Sequence, residues 1–162
     1  MQGYGATFAR VYNQMWAGFA RDLAPRILDF YSHTTLASTN QLLLDLCCGT
    51  GQLALHFLEH GYRVVGLDLS DAMLDYARES ADMFVQAGQA RFVRGDAADF
   101  TLDERFGLVV STFDALNHLP DFDALTRCFA CVHAVTVVGG SFIFDLNTRL
   151  GLKRWNSISV QE

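Results

Sequence analysis

Two kinds of apolar segment alternate along the chain. Continuous runs such as Leu42–Cys47 and Arg63–Leu69 are rich in leucine and valine, which is typical of strands buried on both faces. Between these runs, apolar residues recur at helical spacing, as in Leu53–His60. Strands that alternate with helices of this length predict βαβ units around a parallel sheet.

The predicted core elements are five strands and three helices. The strands are Leu42–Cys47, Arg63–Leu69, Ala90–Arg94, Leu108–Ser111 and Ser141–Leu146, and the helices are Leu53–His60, Asp71–Gln86 with Ser70 as its N-cap, and about Asp121–Val135. We therefore expect an α/β protein with a doubly wound parallel sheet. If this sheet is Rossmann-like, its five strands take the order 3-2-1-4-5.

The first 40 residues form a separate helical segment in this prediction. Apolar residues lie at helical spacing from Tyr4 to Tyr31, and a polar break follows from Ser32 to Asn40. We expect residues 1–40 to be an N-terminal helical lid and residues 41–162 to be the core of one domain overall. The aromatic residues of this helix either cover the site or simply pack on the core; they are Tyr4, Phe8, Tyr12 and Trp16.

Composition and charge narrow the classes of partner. The 162 residues are 51% hydrophobic and 19% charged with a net charge of -6, which indicates a folded globular protein. The chain has no Lys/Arg cluster, so nucleic acid and an anionic membrane surface are disfavoured. No apolar run reaches the ~18 residues of a membrane span, and the N-terminus does not resemble a signal peptide. We expect a cytoplasmic protein.

The cysteines and two histidines do not predict a metal site. Cys47 and Cys48 are adjacent, and Cys128 and Cys131 lie within a helical pattern. We expect buried thiols in a reducing cytosol rather than metal or redox chemistry, because no second Cys-x-x-Cys completes a zinc set. His56 and His60 stand one helical turn apart, on what we expect to be a solvated face.

Polar and glycine residues cluster where the predicted strands end. The first strand leads from Asp45 into Gly49-Thr-Gly51, and Asp68, Asp96 and Asp114 follow the next three strands. In a parallel sheet these carboxyl ends meet at the ligand-binding edge. Gly49-x-Gly51 lets the backbone turn tightly and approach a ligand, and Asp68 is placed to accept hydrogen bonds from ribose hydroxyls.

Asp45 argues against a dinucleotide at this loop. Gly49-x-Gly51-x-x-Ala54 also fits the dinucleotide fingerprint. However, a carboxylate just before the glycines would repel a pyrophosphate, whereas it would favour a ligand that carries an ammonium and a sulfonium. Two alternatives stay open, namely a nicotinamide or flavin nucleotide oxidoreductase and a catalytically silent partner module of the same fold.

Four segments in register resemble the motifs of class I S-adenosylmethionine-dependent methyltransferases. They are Asp45–Gly51, Val65–Leu74, Phe92–Asp96 and Phe106–Phe113. Phe142–Thr148 followed by Trp155 also resembles a bacterial subgroup with small-molecule or unassigned acceptors. The resemblance implies S-adenosylmethionine as the cofactor and a small molecule as the methyl acceptor. The aromatic tetrapeptide with two prolines that accompanies base methylation is absent after the fourth strand, which disfavours DNA.

The resemblance also implies a set of binding residues. Asp45, the main chain at Cys47, Gly49, Gly51 and Thr112 would surround the methionine part of the cofactor; Asp68 would hold the ribose; Met73, Asp96 and the main chain of Ala97 would contact the adenine. Met73 at helical spacing is alternatively a core residue.

The acceptor side is less well determined by the sequence. Tyr12, Asp114 and Asn117 are the candidate substrate-side residues, and His118 is the nearest candidate for a general base. Asn117 and His118 alternatively cap the following helix, and Asp114 alternatively forms an Asx-turn. The resemblance assigns no catalytic residue.

The fifth predicted strand lies at an open edge of the sheet. Members of the family usually add a final antiparallel hairpin beside it, which is missing or incomplete in this sequence. An apolar edge strand invites pairing with another chain. We therefore expect the chain either to belong to a longer polypeptide or to associate through this edge, with Trp155–Val160 as a partial cover.

Overall fold

Five parallel strands form one sheet in the order β3-β2-β1-β4-β5, as predicted. The computed structural model describes residues 9, 17–148 and 150–151. The strands are β1 Leu42–Leu46, β2 Arg63–Asp68, β3 Ala90–Arg94, β4 Phe106–Ser111 and β5 Thr136–Phe144. The helices are α1 Ala17–Ser32, α2 Gln52–Glu59, α3 Asp71–Ser80, α4 Asp82–Gln86 and α5 Phe122–Val135. No sixth strand lies within the described part of the chain.

The alternation of side chains along β1 separates two apolar layers. Leu43 packs in a cluster with residues of α1, α2 and α3, whereas Leu44 and Leu46 pack with Val132 and Val135 of α5. Helices therefore cover both faces of the central strands, which explains why these strands read as continuous apolar runs. The strand ends are left as the accessible edge of the sheet.

The predicted helix Asp71–Gln86 is divided in two. Ser70 caps α3 as expected, since its Oγ accepts from the Met73 N–H at 3.3 Å. The break falls at Ala81, whose φ of -108° and ψ of 21° leave helical geometry. Ala81 is itself buried, and Phe84 packs on the same cluster. The apolar periodicity thus continues across the break, and the sequence pattern alone could not locate it.

Glycines hide the beginnings of β4 and β5 from the sequence pattern. β4 begins at Phe106 rather than Leu108. Position 107 requires a glycine, because an added Cβ would collide with the Tyr31 hydroxyl, and this glycine interrupts the apolar pattern of the strand. β5 begins at Thr136 rather than Ser141 and ends at Phe144. Its pairing with β4 is interrupted between Phe106 and Leu108 by an irregularity that contains Gly139 at a φ of 79°.

The described part of the N-terminal segment packs on the core. Ala24, Ile27 and Tyr31 of α1 are buried with Phe57 of α2, and the Tyr31 hydroxyl donates to the Asn40 carbonyl at 2.7 Å. Tyr4, Phe8, Tyr12 and Trp16, the residues of the expected lid, lie outside the described residues, as does the expected cover Trp155–Val160. The division at residue 40 stays a prediction. None of the described helices is both long and apolar enough to cross a membrane.

Candidate functional site

The turn that follows β1 is built from left-handed backbone conformations. Cys47, Gly49 and Gly51 have φ angles of 61°, 53° and 76°. The Cys48 N–H donates to the Leu67 carbonyl at 3.0 Å, and the Gly51 N–H donates to the Cys48 carbonyl at 2.9 Å. The glycines predicted this turn. The positive φ at Cys47 was not predictable, because only the closure of the turn against β2 requires it.

Asp68 ties this turn to the end of β2. Its Oδ2 accepts from the Gly49 N–H at 2.8 Å, and its Oδ1 accepts from the Ser70 N–H at 2.9 Å. Burial raises the pKa of this carboxyl, while the hydrogen bonds from Ser70, Gly49 and Leu69 oppose the rise. The structure therefore brings Asp68 and the glycine turn together, as the strand-end argument predicted. Its contact with a ribose stays a prediction.

Asp45 is a buried carboxylate, and one of its two oxygens accepts no hydrogen bond from the described residues. Its residue is 3% exposed, and no hydrogen-bond partner for its Oδ2 exists in the described structure. Burial raises its pKa from 3.8 to about 7, the Ala54 N–H opposes this rise, and the charge of Asp68 adds to it. A buried acceptor without a partner is costly. The residue therefore fits a cationic or hydrogen-bond-donating ligand group.

Gly51 faces the protein rather than the edge of the sheet. A Cβ at this position would lie 2.8 Å from the Ala77 Cβ of α3 and 3.4 Å from the Phe92 ring. A bulky residue at position 51 would therefore meet α3 and β3 before any ligand. Gly51 shapes the turn, and a valine there would first disturb folding, which makes it a poor probe of binding.

We expect Gly51→Ala to lower the free energy of unfolding by about 2–4 kcal/mol, since left-handed strain and overpacking act together. Gly61→Ala is the matched control, because Gly61 has a φ of 85° and open space around its Cβ position. This control should lose only about 1–2 kcal/mol from strain. Urea unfolding of both variants measures the difference, and equal losses would show that α3 yields to the added methyl group.

The residues assigned to the adenine differ in exposure. Met73 is 2% exposed, which is the core position that the sequence left open as its alternative. Ala97 is buried, whereas Asp96 is exposed and its Oδ1 accepts from the Ala98 N–H at 2.8 Å. Leu69, beside Asp68, is 41% exposed and was not among the predicted site residues. Adenine contacts at these positions stay predictions.

The segment after β4 carries the acceptor-side candidates. Thr112 and Asp114 are half-buried, and the 3-10 turn Ala115–His118 brings Asn117 and His118 to the surface. Asn117 does not cap α5, because Asp121 does so by accepting from the Ala124 N–H at 2.7 Å. Asn117 instead exchanges two hydrogen bonds with the Asn147 main chain, at 3.0 and 2.8 Å. Tyr12 lies outside the described residues.

The cysteines and histidines remain outside any described cluster of metal ligands. All four cysteines are free thiols, and burial raises the pKa of Cys128 to about 11. The rings of His56 and His60 stack with centroids 4.3 Å apart. Among the described residues, no group of three or more potential ligands could hold a metal ion.

A groove of about 330 Å³ lies at the opposite edge of the sheet. It is lined by Thr39, Asn40, Gln41, Leu42, Gly61, Arg63 and Arg105. Asn40, one of the polar residues that line the groove, holds the chain together there, since its Oδ1 accepts from the Leu42 and Gly107 N–H groups. The groove lies at the amino ends of the strands, whereas ligands of open parallel α/β sheets bind outside the carboxyl ends.

Comparison with known proteins gives matches along most of the chain. The family described as "Methyltransferase domain" matches residues 43–140. A dTDP-3-amino-3,4,6-trideoxy-alpha-D-glucopyranose N,N-dimethyltransferase of Streptomyces venezuelae is 33% identical over 146 residues, which are 88% of this chain and 58% of that protein. A ubiquinone biosynthesis O-methyltransferase of Alkalilimnicola ehrlichii is 31% identical, over 79% of this chain and 50% of that protein.

Solved structures give the same result. The S-adenosylmethionine-bound amino pentose methyltransferase CalS10 of Micromonospora echinaspora superposes with a TM-score of 0.67 at 26% sequence identity. The match covers 91% of this chain and 59% of that one. This chain thus spans only about half to three fifths of the length of these relatives.

Proposed function

The chain belongs to the methyltransferase domain family, and from this premise we propose that it binds S-adenosylmethionine and transfers a methyl group to a small molecule. The Streptomyces relative is an N,N-dimethyltransferase of an amino sugar, the Alkalilimnicola relative is an O-methyltransferase of ubiquinone biosynthesis, and CalS10 holds S-adenosylmethionine. These relatives give no support to a nicotinamide or flavin oxidoreductase or to a silent partner module.

The observation that carries this proposal is the unpartnered Oδ2 of Asp45 beneath the left-handed turn. The cofactor has an ammonium group on its methionine part, and an ammonium would give this oxygen a partner that the described residues do not supply. A pyrophosphate would instead meet the carboxylates of Asp45 and Asp68 at the same turn. The two carboxylates of the site thus fit S-adenosylmethionine better than a dinucleotide.

The remaining residues would hold the other parts of the cofactor. Asp68 would accept from the ribose hydroxyls through the lone pairs that Gly49 and Ser70 leave available. Leu69 offers an exposed apolar side chain next to it, Met73 lies in the first turn of α3, and Asp96 and Ala97 follow the end of β3. When bound, the cofactor supplies an activated methyl group on a sulfonium. The protein's task is then to orient the acceptor and to exclude water.

An amine is the acceptor class that the described residues favour. The Asp114 carboxylate stands at the end of β4 and is fixed there, since its Oδ2 accepts from the Asn147 Nδ2 at 2.6 Å. A fixed carboxylate would attract an ammonium acceptor, and two of the relatives act on amino sugars according to their names. A hydroxyl acceptor is the second candidate, because His118 is exposed nearby as a possible base and the Alkalilimnicola relative is an O-methyltransferase.

Calorimetric titration tests the proposed cofactor. S-adenosylmethionine and S-adenosylhomocysteine should bind, and NAD should not. Binding of NAD in place of both sulfur compounds would support the oxidoreductase alternative. If none of the three ligands gave a heat of binding, the result would support the silent module. The titration should be repeated on a chain extended to the full length of the relatives.

We also propose that the open edge at β5 is covered in the working protein, by further chain or by a second copy. Phe129 of α5 packs against Phe142 and Phe144 of β5 with ring centroids 5.4 and 5.3 Å apart. Phe144 is nevertheless 38% exposed at the last strand of the sheet.

We also propose a cytoplasmic location, because the cysteines of the chain are free thiols and a reducing cytoplasm keeps thiols free.

We expect the 162-residue chain to self-associate through β5, and Phe144→Lys to weaken that association, because a charge on an edge strand opposes pairing. Met83→Lys is the control, since Met83 is 76% exposed on α4, a helix that contacts β3 at the other edge of the sheet. Size-exclusion chromatography with light scattering gives the mass of each. A monomeric parent chain at all concentrations would contradict the expectation.

A further inference from the structure

A set of hydrogen bonds joins the segment after β4 to the segment after β5. The Asp145 carboxylate accepts from two successive main-chain groups, the Phe113 N–H at 3.0 Å and the Asp114 N–H, whose distance is 2.6 Å. Asn147 continues the connection through the Asp114 carboxylate and the Asn117 side chain. We call the contacts of Asp145 and Asn147 with residues 113–117 the β4–β5 clasp.

The clasp holds a backbone conformation that these residues do not adopt readily by themselves. Phe113 and Asp114 have φ angles of 65° and 49°, and neither is a glycine. Left-handed geometry is unfavourable for such residues, especially for a phenylalanine. The Phe113 and Asp114 N–H groups both donate to one carboxylate, and successive backbone N–H groups that converge in a turn can form an anion-binding concavity. The Asp145 carboxylate fills that concavity from within the chain.

The location of the clasp connects it with the site. Thr112 and Phe113 follow β4 directly, at the same edge of the sheet as the turn after β1, and β4 pairs with β1. The conformation of residues 112–114 therefore sets where their side chains stand relative to a ligand at that turn. Both oxygens of the Asp145 carboxylate are engaged by the Phe113 and Asp114 main chain, so Asp145 acts on the site through these two residues.

We propose that Asp145 is a positioning residue, whose carboxylate holds Phe113 and Asp114 in the left-handed conformation that shapes the methionine and acceptor side of the site. This inference rests on the proposed function for its effect on ligand binding, but not for its structural part. Asn147 is the second member of the clasp, and it fixes the Asp114 carboxylate that the acceptor would meet.

Amide hydrogen exchange followed by NMR tests the structural part without any ligand. In Asp145→Asn, the Phe113 and Asp114 amide protons should exchange at least about tenfold faster than in the parent, because a hydrogen bond to a charged acceptor is lost. Asp75→Asn is the control, since it removes an exposed carboxylate of α3, a helix that packs chiefly on β2 and β3. Unchanged exchange of both amides in Asp145→Asn would overturn the proposal.

Binding of S-adenosylhomocysteine tests the functional part. Asp145→Asn should lower its affinity roughly fivefold to tenfold, and Phe113→Gly in the same chain should restore part of the loss, since glycine adopts positive φ without strain. A merely structural effect would lower the unfolding temperature without this rescue. Full affinity in a folded Asp145→Asn protein would overturn the functional part. If the parent itself binds no S-adenosylhomocysteine, the proposed function fails, while the exchange data still decide on the clasp.

Discussion

Asp45→Asn should make the ligand-free protein more stable at about pH 8 and at the same time weaken S-adenosylhomocysteine binding. The folded protein holds the Asp45 pKa at about 7, against 3.8 for the free side chain, chiefly because the carboxyl is buried. The folded state therefore binds the Asp45 proton more tightly than the unfolded state does. The stability gained from this proton is fully present below about pH 4 and is lost as the pH rises to about 7. The loss is about 1.4 kcal/mol per pH unit, or roughly 4 kcal/mol in total.

Asparagine does not titrate, so the stability difference between Asp45→Asn and the parent should grow in the variant's favour between about pH 4 and pH 7 and then stay constant. Urea unfolding across this pH range measures it, and titrations common to both proteins cancel in the difference. A difference that does not change with pH would show that Asp45 titrates normally.

The binding effect of Asp45→Asn should depend on the ligand's ammonium group. We expect a loss of at least about tenfold for S-adenosylhomocysteine at pH 8, since a buried charge pair is removed. Methylthioadenosine, which lacks the amino-acid part, should bind the variant and the parent equally. A loss that is the same for both ligands would move Asp45 away from the ammonium.

Asp68→Asn should weaken both ligands by at least about tenfold, because hydrogen bonds to a charged acceptor contribute about 1.5–3 kcal/mol each. Both ligands carry the ribose that Asp68 is proposed to hold. The substitution also replaces one of the oxygens that accept from the Gly49 and Ser70 N–H groups at 2.8 and 2.9 Å. The turn after β1 should therefore lose part of its order as well.

Asp75→Asn is the matched control for Asp68→Asn. Asp75 is an exposed carboxylate of α3 that pairs with Arg78 at 3.0 Å, and such surface pairs contribute little. Calorimetry with both ligands and thermal unfolding of both variants complete the comparison. An Asp68→Asn protein that keeps the parent's affinity for methylthioadenosine would show that the ribose lies elsewhere.

The alternation of apolar runs and helical periods was enough to predict the parallel sheet, and the motif spacing was enough to predict the family, whose Rossmann-like fold supplied the strand order. The predicted parallel sheet also placed Asp45, Asp68 and the glycine turn at one edge, because parallel strands end on the same side. These features depend on local periodicity and on the positions of carboxylates and glycines next to strands, which a sequence displays directly.

Other features depended on which distant residues meet. The break at Ala81 was missed because it does not interrupt the apolar pattern, and the early start of β5 was missed because Gly139 and Gly140 do interrupt it. Only the fold turned Gly51 toward Ala77 and left one oxygen of Asp45 without a partner. The clasp joins residues 30 to 33 positions apart in the chain. Its hydrogen bonds exist because the register of β4 with β5 places Asp145 beside the end of β4, and that register is set by tertiary packing.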